Sequence, residues 1–196
     1  MKFNHTTPVI IQARFNSSRF YGKVLAKIDG LSLLEYLVGR VEKKNSRDNI
    51  VIATSYKQTD DPIADFCLKK NIQVFRGSLN NVARRMLDAV LKYKSNSFVR
   101  INGDSPLLDP DLIIQGIQIF KNGNYDLVTN VFPRSYPVGQ SIEVINTHTF
   151  EKAVLLMKKK EHLEHVTKFY YDNPNMFKIK NIQNNQDLSS YRLVVD

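Results

Sequence analysis

Short apolar runs alternate along the first half of the chain with longer segments whose apolar residues recur at helical spacing. The short runs are rich in Val, Ile and Phe and lie at residues 9–11, 50–53, 72–75 and 97–101. Apolar positions three or four residues apart fill the segments between them, at residues 32–44, 60–71 and 79–93. Such runs are typical of strands buried on both faces, and such spacing predicts helices with one buried face. The alternation predicts βαβ units in an α/β fold with a doubly wound, mainly parallel sheet.

Capping residues indicate where two of the helices begin. Ser32 stands three residues before Glu35, which is the spacing of a capping box. Asp109 stands directly before Pro110, and proline favours the first position of a helix. Asp109-Pro110-Asp111 is also a D-x-D triplet, the metal motif of many glycosyltransferases, but we interpret it as the start of a helix.

The second half of the chain is less regular. A loop at residues 131–140 contains two prolines and a glycine and is too long to serve only as a connection. Strands and helices are predicted around it at residues 125–130, 141–145, 147–159, 162–172, 177–182 and 191–195. Neither an internal repeat nor a second-domain boundary is visible, so residues 1–196 are predicted to form a single domain.

Composition narrows the function classes. The 196 residues carry a formal net charge of +9, but the basic residues are dispersed and no common nucleic-acid-binding motif is present. We therefore expect an anionic small molecule rather than nucleic acid as the partner. Apolar runs fall short of the ~20 residues of a membrane span, and the first residues lack the apolar core of a signal peptide, so we expect no membrane insertion and a cytoplasmic location. The single cysteine, Cys67, excludes an internal disulfide and a cysteine-rich zinc site.

The most distinctive polar segment follows the first predicted strand. Arg14, Arg19 and Lys23 fall within ten residues, on a loop of small residues with Gly22 directly before the lysine. Loop N–H groups and cationic side chains together suit a polyphosphate. The loop is not a Walker A motif, because that motif needs a glycine five positions before Gly22, where Ser17 stands. An ordinary basic surface loop is the alternative.

A second polar turn follows the fourth predicted strand, where Gly103 precedes Asp104. In a doubly wound sheet, ligands bind outside the carboxyl ends of the strands. A carboxylate at that edge is a suitable ligand for Mg²⁺, which keeps several waters and bridges to substrate phosphates. The alternative is a turn aspartate that binds its own backbone. The basic loop at the same edge of the sheet favours the metal.

Three motifs carry a resemblance to a known family. They are IIQAR at residues 10–14, Ser18-Arg19 followed by GKVL at residues 22–25, and RINGDSPLLDP at residues 100–110. Together they resemble the cytidylyltransferases that make CMP-activated acidic sugars, most of all the spore-coat polysaccharide cytidylyltransferase-like proteins. CMP-Kdo and CMP-acylneuraminate synthetases look more distant. The resemblance covers nearly the whole chain and implies a Rossmann-like nucleotidyltransferase fold.

The resemblance also implies an activity and a nucleotide site. The activity is transfer of CMP from CTP to an acidic sugar or related acid, with release of pyrophosphate, for surface polysaccharide or glycan biosynthesis. Arg14, Lys23 and Asp104 are the implied catalytic residues, and Asp104 and Asp196 are the implied ligands of Mg²⁺. The implied nucleotide contacts are Gln12, Ala13, Arg14, Ser18, Arg19, Lys23, Arg76, Arg85, Asn102 and Gly103.

Two further motifs bear on the acceptor and on assembly. YPVGQSIEV at residues 136–144 resembles the family's sugar-binding and dimer-forming insertion, and so implies a homodimer. EHVT at residues 164–167 resembles a motif near the acceptor pocket. Ser141 and Asn81 stand where relatives often carry aspartate, and the change at Ser141 leaves room for a different acceptor. The implied acceptor contacts are Tyr136, Gln140, Glu143 and His165.

Some alternatives stay open at this stage. His162 and His165 are three residues apart and would share a helix face as a zinc pair, although no third ligand is evident. RLVVD at residues 192–196 is followed in the family by PEDL and a closing helix, which we expect this chain to lack. Two other function classes remain: a sugar nucleotidyltransferase or glycosyltransferase that uses another nucleotide, and a nucleotide-binding domain without turnover.

Overall fold

The computed structural model describes residues 7–16 and 20–195. Seven strands of this part of the chain form one sheet with helices on both faces, which confirms the predicted α/β class. The strands are β1 (Val9–Gln12), β2 (Lys27–Ile28), β3 (Leu31–Ser32), β4 (Ile50–Ser55), β5 (Gln73–Gly77), β6 (Ser97–Asn102), β7 (Leu127–Thr129), β8 (Glu143–Asn146) and β9 (Ile179–Asn181). The helices are α1 (Leu33–Glu42), α2 (Asp61–Lys69), α3 (Val82–Lys92), α4 (Pro110–Asn122), α5 (Thr147–Leu156), α6 (Lys160–Glu164) and α7 (Lys168–Asp172).

The strand order of the large sheet is β5-β4-β1-β6-β8-β7-β9. β5, β4, β1 and β6 run parallel, and β8 is antiparallel to both β6 and β7. The chain steps outward from β1 through β4 to β5 and then returns to β6, on the other side of β1. The strand order therefore reverses between β1 and β6, and a crevice at their carboxyl ends is the expected ligand position.

Two hydrophobic cores lie on opposite faces of the sheet because alternate residues of each strand point to opposite sides. Ile11 of β1 belongs to the core that also contains Leu37 of α1 and Ile63 of α2. Ile10 belongs to the other core, with Met86 of α3 and Phe150 of α5. Both faces are covered, which explains why the parallel strands read as apolar runs.

The predicted helix starts are confirmed. Ser32 accepts from the Glu35 N–H while the Glu35 carboxylate accepts from the Ser32 N–H, which completes the capping box of α1. Asp109 accepts a hydrogen bond from the Asp111 N–H, 3.0 Å away, with Pro110 at the first helical position of α4. Asp109-Pro110-Asp111 is therefore a capping segment, and the Asp111 carboxylate pairs with the Lys44 ammonium at 2.9 Å.

Two predictions for the second half are wrong. Residues 191–195 do not form a strand of the sheet; Tyr191 and Leu193 instead exchange hydrogen bonds with Val138 in the long loop. Residues 162–172 do not form one helix, since the chain leaves helical geometry at His165 and divides into α6 and α7. Thr167 turns inward at this break, and its hydroxyl donates to Glu143.

Cys67 is fully buried in a core, in line with a packing role, and burial raises the pKa of its thiol to about 12. Among the described helices, none combines the length and the apolar character needed to span a bilayer.

Candidate active site

A cavity of about 290 Å³ lies at the carboxyl ends of β1 and β6, where the strand order reverses. β1 and the loop after it form one wall, the turn after β6 forms the floor, and the N-terminal turn of α3 and the end of α6 close the remaining sides. The lining residues within the described ranges are Gln12, Ala13, Arg14, Lys23, Val24, Val82, Arg85, Arg100, Asn102, Gly103, Asp104, Glu164 and His165.

The basic loop after β1 is anchored at both of its ends. The Phe15 N–H donates to the fully buried Asp60 carboxylate at 2.7 Å, and Asp60 also accepts from the backbone N–H and hydroxyl of Ser55 at the end of β4. The Phe15 carbonyl in turn accepts from the Gly22 N–H at 2.8 Å. Gly22 has φ +72°, and a Cβ there would lie 2.8 Å from the Phe15 ring, so this closure needs glycine.

The loop delivers Lys23 to the turn after β6. The Lys23 ammonium lies 3.4 Å from the Asp104 carboxylate, with side-chain exposures of 10% and 36%. Gly103 makes the approach of the two strand ends possible: its N–H donates to the Gln12 carbonyl at 2.9 Å, and a Cβ at Gly103 would lie 2.9 Å from the same oxygen. The two polar segments singled out in the sequence therefore meet at one point.

Arg85 is a buried cation at the α3 side of the cavity. It is 2% exposed, one of its terminal nitrogens donates to the Ser78 carbonyl at 2.7 Å, and its buried Nε has no hydrogen-bond partner among the described residues. Burial lowers the pKa of Arg85 to about 10, opposed by the carboxylate of Asp60 and aided by the positive charge of Arg14. An anion in the cavity would offset the buried positive charge of Arg85.

Two residues of the EHVT motif face the cavity from the other side. The Glu164 carboxylate lies 3.6 Å from the Arg14 guanidinium, and both side chains are about half exposed. His165 is exposed and lines the cavity beside them. The break between α6 and α7 places this pair over the strand ends.

The structure brings most of the predicted nucleotide residues into this one cavity, including all three predicted catalytic residues. Those that line it are Gln12, Ala13, Arg14, Lys23, Arg85, Asn102, Gly103 and Asp104. Of the predicted acceptor residues, His165 joins them. Ser18, Arg19 and Asp196 lie outside the described residues.

Of the predicted site residues that the structure describes, four do not line the cavity, and each has protein contacts instead. Arg76 donates to the carbonyls of Ser55 and Lys57 and pairs with Asp61. Gln140 uses both ends of its amide on the backbone of Leu107 and Asp109, Tyr136 packs against a core, and Glu143 pairs with Arg100.

Sequence reasoning missed Arg100 and Glu164, although both stand inside the quoted motifs. Each lines the cavity. Arg100 is two residues before Asn102 on β6, so alternation along the strand was a signal that they share a face. Asn81 caps α3, where its side chain accepts from the Arg84 N–H at 2.8 Å. This residue therefore has a structural role that needs no negative charge.

The donor chemistry of the cavity suits a magnesium ion held through substrate. Asp104 offers a partly exposed carboxylate at the cavity floor. Mg²⁺ is usually bound by one or two carboxylates together with waters and phosphate oxygens. Asp104 together with a triphosphate meets that requirement.

The alternative in which His162 and His165 form a zinc pair on one helix face is not supported, because α6 ends between them. His162 is buried, and its Nε2 lies 2.9 Å from the Asp172 carboxylate, whereas His165 is exposed at the cavity. Glu161, His162 and Asp172 have ligand atoms within 4.8 Å of one another. Lys168 pairs with both Asp172 and Glu161 in the same cluster, so an ordinary ion-pair network accounts for it.

Comparisons of sequence and of structure match the chain to the same family of proteins. The family described as cytidylyltransferase matches residues 8–193 of the chain. The spore coat polysaccharide biosynthesis protein SpsF of Bacillus subtilis is 34% identical over 196 residues, covering 95% of this chain and 80% of that protein. The 3-deoxy-manno-octulosonate cytidylyltransferase of Syntrophotalea carbinolica is 30% identical over 104 residues, covering 53% of this chain and 41% of that protein. A solved cytidylyltransferase structure from Leptospira borgpetersenii superposes with a TM-score of 0.92 at 29% identity, covering 97% of this chain and 81% of that one.

Proposed function

The chain belongs to the cytidylyltransferase family, and from that premise we propose that it transfers CMP from CTP to an acidic sugar or a related acid and releases pyrophosphate. Magnesium dependence, the acidic acceptor and a homodimeric assembly are parts of this proposal. One similar protein is a spore coat polysaccharide biosynthesis protein, and another is a 3-deoxy-manno-octulosonate cytidylyltransferase. Both similarities support a role in glycan biosynthesis.

The charge of the cavity is the observation that carries the proposal. Among the described residues, four cations and two carboxylates line it, and Arg85 is buried there with no hydrogen-bond partner for its Nε in the same part of the chain. A triphosphate would offer acceptor oxygens to Arg14, Lys23 and Arg85 and would offset their charge. An acidic acceptor adds a further anion, which the same excess of positive charge favours.

The proposed reaction is an in-line displacement at the α-phosphate of CTP. An oxygen of the acceptor forms a bond to the α-phosphorus, and the bond from that phosphorus to the pyrophosphate oxygen breaks. Lys23 and Arg14 stabilise the charge that builds on the phosphate oxygens, which is the main way a protein accelerates phosphoryl transfer. Asp104, with Asp196 as the second proposed ligand, would hold Mg²⁺, which polarises the α-phosphate when bound.

On the acceptor side, His165 is the predicted residue whose position supports direct contact, because it lines the cavity beside Glu164. Tyr136 and Gln140 have contacts that favour a supporting role. We propose that they hold the loop at residues 131–140 against the body of the protein.

A pyrophosphate-release assay tests the proposed function. CTP is mixed with Mg²⁺ and each of a panel of acids, including 3-deoxy-manno-octulosonate and nonulosonic acids, and the other three nucleoside triphosphates are run in parallel. The proposal predicts release that needs both CTP and an acid. Release that depends on ATP, GTP or UTP would assign another nucleotide, and CTP binding without release would make the chain a nucleotide-binding domain.

A further inference from the structure

A row of polar side chains crosses the sheet next to the cavity. Gln12 of β1 is the register partner of Asn102 of β6, and Arg100 of β6 is the register partner of Glu143 of β8. Glu143 is also the partner of Thr129 in β7. Residues two apart on a strand and direct cross-strand partners share a face. All five side chains therefore lie on the α3 side of the sheet.

Arg100 binds three of these side chains at once. Its Nε donates to Gln12 Oε1 at 3.0 Å, one terminal nitrogen donates to Asn102 Oδ1 at 2.9 Å, and the other donates to the Glu143 carboxylate. A guanidinium has donors and no acceptor, so each amide must turn its oxygen toward Arg100. The amide nitrogens of Gln12 and Asn102 donate to no acceptor among the described residues, and both residues line the cavity.

Glu143 holds Arg100 from the side away from the cavity. The Glu143 side chain is 6% exposed, and that of Arg100 is 11% exposed. The second carboxylate oxygen of Glu143 accepts from the hydroxyls of Thr167 and Tyr171, the latter at 2.8 Å. Tyr171 is itself 3.0 Å from the Thr129 hydroxyl. Both oxygens of the buried carboxylate thus accept hydrogen bonds from protein groups, which favours a structural role over contact with a ligand.

We propose that Glu143 is a positioning residue: through Arg100 it fixes the amides of Gln12 and Asn102 so that their N–H groups face the cavity as a paired donor site for anionic oxygens. This inference deepens the proposed function and rests on it. Phosphate oxygens of the nucleotide and a carboxylate of the acceptor share this chemistry. The same network reaches the EHVT segment through Thr167, so it links the nucleotide wall of the cavity to the segment that carries His165.

The substitution Gln12→Glu tests the donor site without breaking the network. A glutamate at position 12 still offers one oxygen to Arg100, but its second oxygen replaces the N–H group that faces the cavity. Gln115→Glu is the matched control, because the same change of charge then occurs at an exposed position of α4. Thermal melting establishes that both variants fold.

Binding is measured by calorimetry with CTP, with inorganic pyrophosphate and with 3-deoxy-manno-octulosonate. We expect Gln12→Glu to weaken at least one of these anions by about tenfold or more, since a charge-assisted donor becomes a repelling oxygen. A loss confined to CTP and pyrophosphate assigns the donors to phosphate, and a loss confined to the octulosonate assigns them to carboxylate. Gln115→Glu should leave the affinity for all three anions unchanged. A folded Gln12→Glu variant that binds all three as the unsubstituted protein does overturns the inference.

The role of Glu143 is tested by a second comparison. Glu143→Gln should raise KM for the same anion in the otherwise unsubstituted protein, and should add little in a Gln12→Ala, Asn102→Ala background, because its effect passes through those two amides. Equal effects in both backgrounds contradict the positioning role. If Glu143→Gln does not fold, Glu143→Asp takes its place in the same comparison, because the shorter side chain withdraws the carboxylate from Arg100. If the protein binds CTP but transfers nothing, the proposed function is wrong, and the calorimetric comparison of Gln12→Glu with the unsubstituted protein still decides the inference. If the protein binds none of the three anions, both the proposed function and the inference are wrong.

Discussion

The ammonium of Lys23 lies 3.4 Å from the carboxylate of Asp104, across the crevice between the ends of β1 and β6. The two residues are 81 positions apart in sequence. One comes from the basic loop and the other from the turn that would hold the metal. Their contact places the proposed phosphate-binding and metal-binding groups at the same point of the cavity.

Lys23→Met should weaken CTP binding while leaving the fold intact, since the change removes the charge and keeps most of the apolar stem. Loss of one charge-assisted contact corresponds to about 1.5–3 kcal/mol, or roughly 10- to 150-fold in affinity. Isothermal titration with CTP measures it. The control is Lys44→Met, which removes the charge of a surface lysine paired with Asp111 and should leave CTP affinity unchanged. Equal CTP affinity in the Lys23 variant would remove Lys23 from the phosphate site.

Asp60→Asn should destabilise the protein and loosen the basic loop together. Asp60 is fully buried, and its two carboxylate oxygens accept from the N–H groups of Phe15 and Ser55. In asparagine one of these oxygens becomes an NH2 group, which would face an N–H donor instead of accepting from it. We expect a loss of about 1–3 kcal/mol in the free energy of unfolding and weaker CTP binding, measured by urea denaturation and calorimetry. Asp61→Asn, which removes an exposed pair with Arg76, should cost less than about 1 kcal/mol. Similar losses in the two variants would argue against the anchoring role.

Asp172 should stabilise the folded protein at neutral pH and lose that contribution in acid. Its hydrogen bond to His162, followed by that to Lys168, lowers the pKa of Asp172 below 3.8 in the folded protein. An acid with a depressed pKa stabilises the fold above its unfolded pKa and loses that contribution as the pH falls through its folded pKa. The melting temperature of Asp172→Asn should therefore lie below that of the unsubstituted protein at neutral pH, and the two should converge below pH 3.8. A difference that is independent of pH would show that charge is not the cause.

A homodimer is expected because residues 136–144 resemble a dimer-forming insertion. Phe132, Tyr191 and Leu193, on or beside the loop at residues 131–140, leave part of their apolar surface exposed, which supports an interface there. Light scattering coupled to gel filtration should give about twice the chain mass of 22.6 kDa. A mass near 22.6 kDa across a wide concentration range would contradict the proposal.

Much of the fold follows from local sequence patterns. The apolar runs at β1, β4 and β6 and the caps at Ser32 and Asp109 depend on near neighbours, so they could be predicted. The meeting of the basic loop with Asp104 was also predictable, because both follow parallel strands whose carboxyl ends share one edge of the sheet.

The contacts of Glu143 could not be predicted in the same way. Its pairing with Arg100 depends on the antiparallel register of β8 against β6, across a separation of 43 residues. The break in the predicted helix at residues 162–172 lies beside the same contact, since the chain leaves helical geometry at His165 and Thr167, two residues further on, donates to Glu143. Tertiary hydrogen bonds there outweigh the local helical spacing.

The most direct test of the account follows the α-phosphate itself. CTP labelled with ³³P at the α-position is incubated with Mg²⁺ and the acid that supports pyrophosphate release, and the products are separated and counted. The account predicts that label moves into a CMP conjugate of the acid, one molecule for each pyrophosphate released, and that Asp104→Asn abolishes this transfer. Label that stays in CTP, or that appears in CMP or CDP without a conjugate, would contradict it.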